Sequence, residues 1–266
     1  MNLKSKFIPA MLFAGVIALS SCEKNEQEAM EPTFEQGTIA HILVDSAEVT
    51  SFKYNGNTVS QINNFNKENG ELESFEKFVM DASGKLIKSS THAGKTHATM
   101  SEQTYSYNSK GELENTNTRY FNNGKLVYSS HATYEYNSDN KLTKKSVYEG
   151  DSKDGKLKSF TSYEVLPNGN FGQEKQFVID DEESAKLFST TTYSYDTNKN
   201  PFFEAAEPGK ASSPNNLVAS STVVHNSKKT YAYTYSYQYD ERGYPTSQAV
   251  VTPSGSREKF TYVYSN

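Results

Sequence analysis

Apolar and polar residues alternate with a period of two along most of the chain from Thr38 to Ser265. Thr104-Tyr105-Ser106-Tyr107, Thr133-Tyr134-Glu135-Tyr136 and Thr192-Tyr193-Ser194-Tyr195 each place both tyrosines on one side of an extended segment. Segments of this pattern, rich in Tyr, Thr, Val and Phe, are predicted to be β-strands. Turn signals separate them: Asn55-Gly56, Asn69-Gly70, Ser83-Gly84, Lys110-Gly111, Asn123-Gly124, Asp139-Asn140, Asp154-Gly155, Asn168-Gly169, Arg242-Gly243 and Ser254-Gly255. From Gly56 to Gly84, and again from Gly111 to Gly169, these signals recur every 13 to 16 residues. Glycine and asparagine supply the positive φ that tight hairpins demand, and Gly124 and Gly155 are expected to adopt it. Residues 104–142 state the unit twice: tyrosine, any residue, tyrosine, a short polar turn, then leucine. One unit encodes one strand and one turn, so the chain is predicted to be all-β. Thirteen to fifteen strands would form a long antiparallel up-and-down meander, curled into a closed or nearly closed barrel-like sheet.

Helical periodicity is nearly absent. Asp180 to Phe188 fits either one helical turn or the lead into a strand. Residues 198–216 hold three of the eight prolines and are expected to be the longest irregular loop. No composition shift divides residues 38–266, which read as a single repeat-built domain. Tyr231, Tyr233, Tyr235, Tyr237 and Tyr239 share one face of a strand, opposite Ala232, Thr234, Ser236 and Gln238, and Phe260, Tyr262 and Tyr264 repeat the arrangement. This row is expected to be core; exposed, it would be an aromatic platform able to stack on sugar rings or cover an apolar ligand. A lipid-spanning barrel needs a continuous aliphatic outer band, and a mean hydropathy of −0.76 argues against one.

The first residues follow a different rule. Lys4 and Lys6 precede an apolar run of 13 residues, Phe7 to Leu19, which fits a signal-peptide core and is too short for an ordinary membrane span. It ends in Leu19-Ser20-Ser21-Cys22, which resembles the lipobox of bacterial lipoproteins. Cleavage is therefore expected between Ser21 and Cys22, after a signal peptide of residues 1–21, with acylation, including palmitate, on Cys22. Cys22 is the one cysteine of the chain, so no intrachain disulfide can form. Residues 22–37 read as the lipidated cysteine and a flexible acidic tether. The expected location is the bacterial cell envelope, anchored to the outer membrane through Cys22, either facing the periplasm or exposed at the surface.

Tyr193 to Phe202 (YSYDTNKNPF), Ser213 to Leu217 (SPNNL), Tyr233 to Ser247 (YTYSYQYDERGYPTS) and the closing FTYVYSN form an ordered series. It resembles a family of bacterial lipoproteins carrying a domain of unknown function with a porin-like fold. The single units are also similar to the tyrosine-aspartate repeats of large secreted shell proteins, although Asn108 and Asn137 stand where those repeats carry aspartate. The resemblance implies a lipid-anchored, barrel-like antiparallel sheet and no activity.

Candidate chemistry is sparse. His92 and His97 flank a Gly-Lys turn but lack a third ligand nearby, and the other histidines, His41, His131 and His225, are isolated. The run Asp180-Asp181-Glu182-Glu183 lacks the spacing and glycine of a calcium loop and reads as a solvated charge run. No Gly-x-Ser-x-Gly elbow, phosphate-cradling loop or dinucleotide fingerprint is present. A formal net charge of −5, made more negative when the leader with Lys4 and Lys6 is removed, argues against a nucleic-acid partner. No metal or other cofactor is implied. The leading expectation is a non-catalytic, lipid-anchored envelope protein with a binding or scaffolding role toward a glycan, a protein or an apolar small molecule. The alternatives are a carrier holding a lipid or other apolar ligand in the barrel, and a hydrolase with dispersed carboxylates.

Overall fold

The computed structural model describes residues 38–203 and 207–265. The strands are β1 (Ile39–Val44), β2 (Ala47–Asn55), β3 (Thr58–Phe65), β4 (Leu72–Met80), β5 (Leu86–Ala93), β6 (Thr99–Tyr107), β7 (Leu113–Asn122) and β8 (Lys125–Tyr136). They continue as β9 (Leu142–Glu149), β10 (Leu157–Val165), β11 (Phe171–Ile179), β12 (Ala185–Lys199), β13 (Asn215–Val224), β14 (Lys229–Tyr239), β15 (Pro245–Val251) and β16 (Arg257–Tyr264). Each pairs antiparallel with its neighbours in sequence, and β1 also pairs with β16, which closes the barrel. The seam sets Ile39 opposite Tyr264, Ile42 opposite Tyr262 and Val44 opposite Phe260.

Sixteen strands exceed the thirteen to fifteen expected, and two of the hairpins, β1–β2 and β13–β14, turn without glycine and without an Asn or Asp pair to announce them. Asp45 and Ser46 join β1 to β2 at φ of 49° and 71°. Lys228, at φ 54°, helps join β13 to β14. Asp tolerates this left-handed region better than Ser or Lys does, and none of the three marks a turn in a sequence as glycine does. Of the two readings of Asp180 to Phe188, the strand lead-in holds. Asp180 Oδ1 accepts the backbone N–H groups of Glu182 at 3.0 Å and Ser184 at 2.8 Å, and β12 begins at Ala185.

One hairpin recurs around one end of the barrel. Asp81, Asn108, Asn137 and Asp240 each open a turn in which the side-chain Oδ1 accepts the N–H groups two and four residues on. The fourth residue of each turn takes positive φ: Gly84, Gly111, Asn140 and Gly243. A β-bulge follows, setting Met80 against Leu86, Tyr107 against Leu113, Tyr136 against Leu142 and Tyr239 against Pro245. The hairpin at Leu166–Asn170 has the same backbone hydrogen bonds and sets Val165 against Phe171. Leu86, Leu113, Leu142, Phe171 and Pro245 are all buried, forming an apolar ring inside this rim. Tyrosine hydroxyls tie the ring together: Tyr107 donates to Leu86 O at 2.7 Å, Tyr195 to Phe171 O at 2.8 Å and Tyr264 to Pro245 O at 2.8 Å. The tyrosine, turn and leucine of the sequence unit are thus the hydroxyl, the bulged hairpin and the ring residue of one rim.

Gly124 has the expected positive φ of 74°, but Gly155 does not. Gly150 takes the left-handed position of that turn instead, at 88°. Glycine is required at 155 for a different reason: a Cβ there would lie 1.9 Å from the Glu149 carbonyl oxygen.

The loop between β12 and β13 shows which face of the sheet is inside. Glu207 in this loop accepts hydrogen bonds from Tyr105 and Gln103 on β6, roughly half the circumference away. Phe202 lies edge-on against Tyr262 of β16, with ring centroids 5.8 Å apart. Only a segment crossing the lumen reaches both walls. The longest irregular loop is therefore a plug across the rimmed end, and the tyrosine face is the inner face. Two inner-wall clusters sit against it: Ile39, Ile42 and Tyr262, and Leu86, Tyr105 and Leu113. Alternation then turns Lys53, Lys77, Glu102, Arg119, Lys144, Lys175 and Lys259 outward, one on each of seven strands. This outer wall is charged and hydroxylated, whereas a lipid-facing barrel carries an apolar band about 25 Å tall. Among the described residues, no helix is long and apolar enough to cross a membrane.

Candidate functional site

The inner wall of β10 to β14 is where the tyrosines gather. The expected row on β14 points into the lumen, with Tyr233, Tyr235, Tyr237 and Tyr239 half-buried and Tyr231 41% exposed. Tyr233 and Tyr235 stack with centroids 6.5 Å apart, and Tyr237 and Tyr239 stack at 5.9 Å. At the end opposite the plug, Tyr120 and Tyr128 also face inward and are 44% and 43% exposed. Water therefore reaches the inner wall through this mouth. Near the plug the wall is drier: Tyr237 Oη donates to Leu217 O at 2.9 Å and accepts from Gln248 Nε2 at 2.7 Å. Tyr262, 5% exposed, donates to Gln248 Oε1 at 3.1 Å. Burial pushes the Tyr262 and Tyr237 hydroxyls well above the ordinary tyrosine range, so they act as neutral hydrogen-bonding groups.

The plug carries charge into the lumen. Glu207 is buried, pairs with Lys210 and receives the Tyr105 hydroxyl and the Gln103 amide. On the facing wall, Glu76 of β4 is raised to about 7, first by burial and then by the nearby Glu207 carboxylate. Lys145 of β9, its ammonium 5.6 Å from the centre of the Tyr134 ring, is lowered by burial and then by Lys210. The stem of the plug is clasped by polar side chains. Asn170 Nδ2 donates to Asn215 Oδ1 at 3.0 Å, Phe171 N donates to Ser213 Oγ at 3.0 Å, and Asp196 Oδ1 accepts Asn216 N at 3.1 Å. A cleft of about 190 Å³ remains between plug and rim, lined by Tyr136, Leu142, Phe171, Phe203, Gly209 and Lys210 among others.

A further carboxylate, Glu174 of β11, faces the lumen on the tyrosine wall. It pairs across the sheet with Tyr163 and Thr191, and the Tyr193 hydroxyl hydrogen-bonds to it. Burial raises its carboxyl above the ordinary glutamate range.

Cys22 and Ser21 lie outside the described residues. His92 stacks on Phe75 at 4.9 Å and His97 meets the same ring edge-on at 5.3 Å, so the pair clamps an aromatic ring on the outer face. His131 hydrogen-bonds Asn117 Oδ1 at 2.8 Å, and His225 hydrogen-bonds Thr190 at 2.9 Å. Among the described residues, no three His, Cys, Asp or Glu converge as a metal site would require. Glu76, Glu174 and Glu207 went unnoticed in the sequence. Glu76 and Glu174 carry one signal that could have found them: each occupies a position of its strand whose alternation points inward.

The fold is that of a porin-like barrel. A porin-like protein from Bacteroides vulgatus superposes with a TM-score of 0.50 at 13% identity, over 77% of this chain and 98% of that one. Another porin-like protein, from Bacteroides uniformis, matches with a TM-score of 0.46 at 15% identity, over 88% of this chain and 100% of that one. No known family profile and no curated protein matches the chain.

Proposed function

We propose that the protein is a non-catalytic, lipid-anchored component of the bacterial cell envelope that binds a ligand in its tyrosine-lined lumen. The observation that carries this reading is the water-accessible aromatic inner wall, open at one end and plugged at the other. Both ends of the barrel's chain lie at the plugged end, where Ser265 N donates to Thr38 O at 2.8 Å. An acylated Cys22 sixteen residues before Thr38 would therefore tether the plugged end toward the membrane and leave the mouth facing away. The polar outer wall suits a barrel held beside a bilayer rather than within one. Hydroxyls, amides and carboxylates interleave with the tyrosines, a lining that favours a polar ligand over an acyl chain, and the plug cleft is smaller than the several hundred Å³ of a typical apolar ligand site.

The native protein, purified from membranes, is expected to bring its ligand with it, detectable by mass spectrometry. The double variant Tyr233→Ala/Tyr235→Ala should lose that material, and the outward-facing Thr234→Ala/Ser236→Ala should keep it. Identical material from both variants, or none from the wild type, refutes lumen binding. Cys22→Ser should abolish incorporation of labelled palmitate; continued labelling refutes the anchor. A hydrolase is the second reading, favoured by Glu76, whose carboxyl is poised near neutrality beside Glu207. It is the weaker one, because Glu207 is already engaged by Tyr105, Gln103 and Lys210.

A further inference from the structure

Glu174 is a charge without a counter-charge. Its inward-facing neighbours are Tyr163 and Thr161 on β10, Phe171 and Gln176 on β11, and Thr191 and Tyr193 on β12, all uncharged. Lys175, next in sequence, points through the sheet to the outer face. The closest inward cation in strand order, Lys145, is two strands away on β9 and leans over the Tyr134 ring of β8, on the side away from β11. Lys186, inward on β12, sits at the mouth and pairs with Asp180 at 3.1 Å. The Tyr193 hydroxyl stabilises the Glu174 carboxylate in part, while burial acts against its charge and raises its carboxyl.

Rings surround this carboxylate. Tyr163 stands directly across from it. Tyr193 lies diagonally and continues along β12 to Tyr195, with centroids 6.4 Å apart. Across β13, Tyr193 pairs with Ser220, which pairs with Tyr233 on β14. A cation is drawn both to a carboxylate and to the faces of aromatic rings, and the two attractions strengthen where water is partly excluded. We propose that Glu174 and its flanking tyrosines form a binding site for an organic ammonium group. This deepens the lumen-binding reading and rests on it. A bare metal ion is a poor fit, since Glu174 is the one carboxylate among these neighbours and a hard cation takes six or more oxygens. A neutral ligand would leave the half-buried charge uncompensated. A ligand bearing an ammonium group brings its own neutralising charge and methylene or methyl groups that pack on the rings.

The probe is choline, titrated calorimetrically into the mature, detergent-solubilised protein, with its uncharged isostere 3,3-dimethylbutan-1-ol as the control. Choline should bind, and the isostere should bind about tenfold or more weakly, the loss of one cation–carboxylate and cation–π contact. Glu174→Gln should weaken choline by a similar factor while leaving the melting temperature at or above that of the wild type. At a pH low enough for part of Glu174 to be protonated, binding should also release protons, because a cation lowers a raised carboxyl, so the measured heat there should vary with the ionisation enthalpy of the buffer. That variation should vanish in Glu174→Gln. No heat with choline, equal affinity for the isostere, or unchanged choline affinity in Glu174→Gln overturns the ammonium site. If any of these occurs while the co-purifying ligand is still lost from Tyr233→Ala/Tyr235→Ala, the ammonium site falls and lumen binding stands.

Discussion

Tyr262 and Tyr235 offer the same side chain in two environments of one lumen, and alanine at each position measures how wet that lumen is. Tyr262 is 5% exposed, packs with Ile39, Ile42 and Phe202, and donates to Gln248. Its removal leaves an enclosed hole beneath the plug and costs Gln248 Oε1 its tyrosine donor. Large aromatic truncations of this kind cost about 3–5 kcal/mol. Tyr235 is half-buried on the open stretch of the same face and stacks on Tyr233 at 6.5 Å. Water can fill the space it vacates, so the transfer term is roughly halved and the cavity term largely disappears, leaving about 1–2 kcal/mol. Equilibrium urea unfolding of the mature protein, read by tyrosine fluorescence and far-UV circular dichroism, gives both values provided the slope m is unchanged. Thr234→Ala and Ser236→Ala, exposed on the outer face, should stay within about 0.5 kcal/mol of the wild type. Equal large losses for both tyrosines would make the lumen a dry core and remove the basis for ligand binding. Negligible losses for both would mean that the tyrosine face does not line an interior at all.

Glu76 binds its proton more tightly in the folded chain, with a carboxyl raised to about 7, so its effect on stability is most favourable at acid pH and declines as pH rises from the ordinary glutamate range through about 7. Glu76→Gln should therefore raise stability by about 1–3 kcal/mol at pH 8 and change it little at pH 5; equal effects at both values would show that Glu76 is not raised. Glu207→Ala removes the plug's contacts to Tyr105 and Gln103 on β6, together with its own internal pair with Lys210, and should speed limited proteolysis within residues 200–214 by about tenfold or more, whereas unchanged cleavage would show that those contacts do not seat the plug. Gly155→Val should destabilise at least as much as Gly124→Val, about 1–3 kcal/mol, since the first meets a carbonyl at 1.9 Å and the second meets open space at a strained φ; a milder effect at 155 would contradict the turn geometry.

The strands and the rim were legible because their causes are local. Alternation fixes which side chains share a face, and an Asn or Asp followed three residues later by Gly specifies a hairpin without reference to the rest of the chain. The unit at Tyr105 to Leu113 can be read directly as strand, capped turn, bulge and ring residue. Closure was foreseeable as a class, since a long meander with exposed edges is unfavourable, but the pairing of Ile42 with Tyr262 joins residues more than two hundred positions apart and leaves no local trace. The turns at Asp45-Ser46 and around Lys228 were missed because polar residues at positive φ lack the signature of glycine.

The plug and the inward-facing carboxylates were hidden for a deeper reason. Residues 198–216 break the pattern, and a break in a pattern predicts irregularity without saying where the irregular segment goes. Its destination is set by partners on distant strands: Tyr105 and Gln103 for Glu207, Tyr262 for Phe202, Asn170 for Asn215. Each of those partners reads as an ordinary strand residue until the barrel is closed and inward becomes a definite direction. The same holds for Glu174. In the sequence it is a glutamate between two polar residues, apparently on a solvated strand. Once the register sets it against Tyr163 and beside Tyr193, with Lys175 carried through the sheet to the far side, its charge is separated from the lysine that would have neutralised it. Period two, the property that made the fold readable, is also what strips Glu174 of its sequence neighbour and leaves the lumen with a carboxylate seeking a cation.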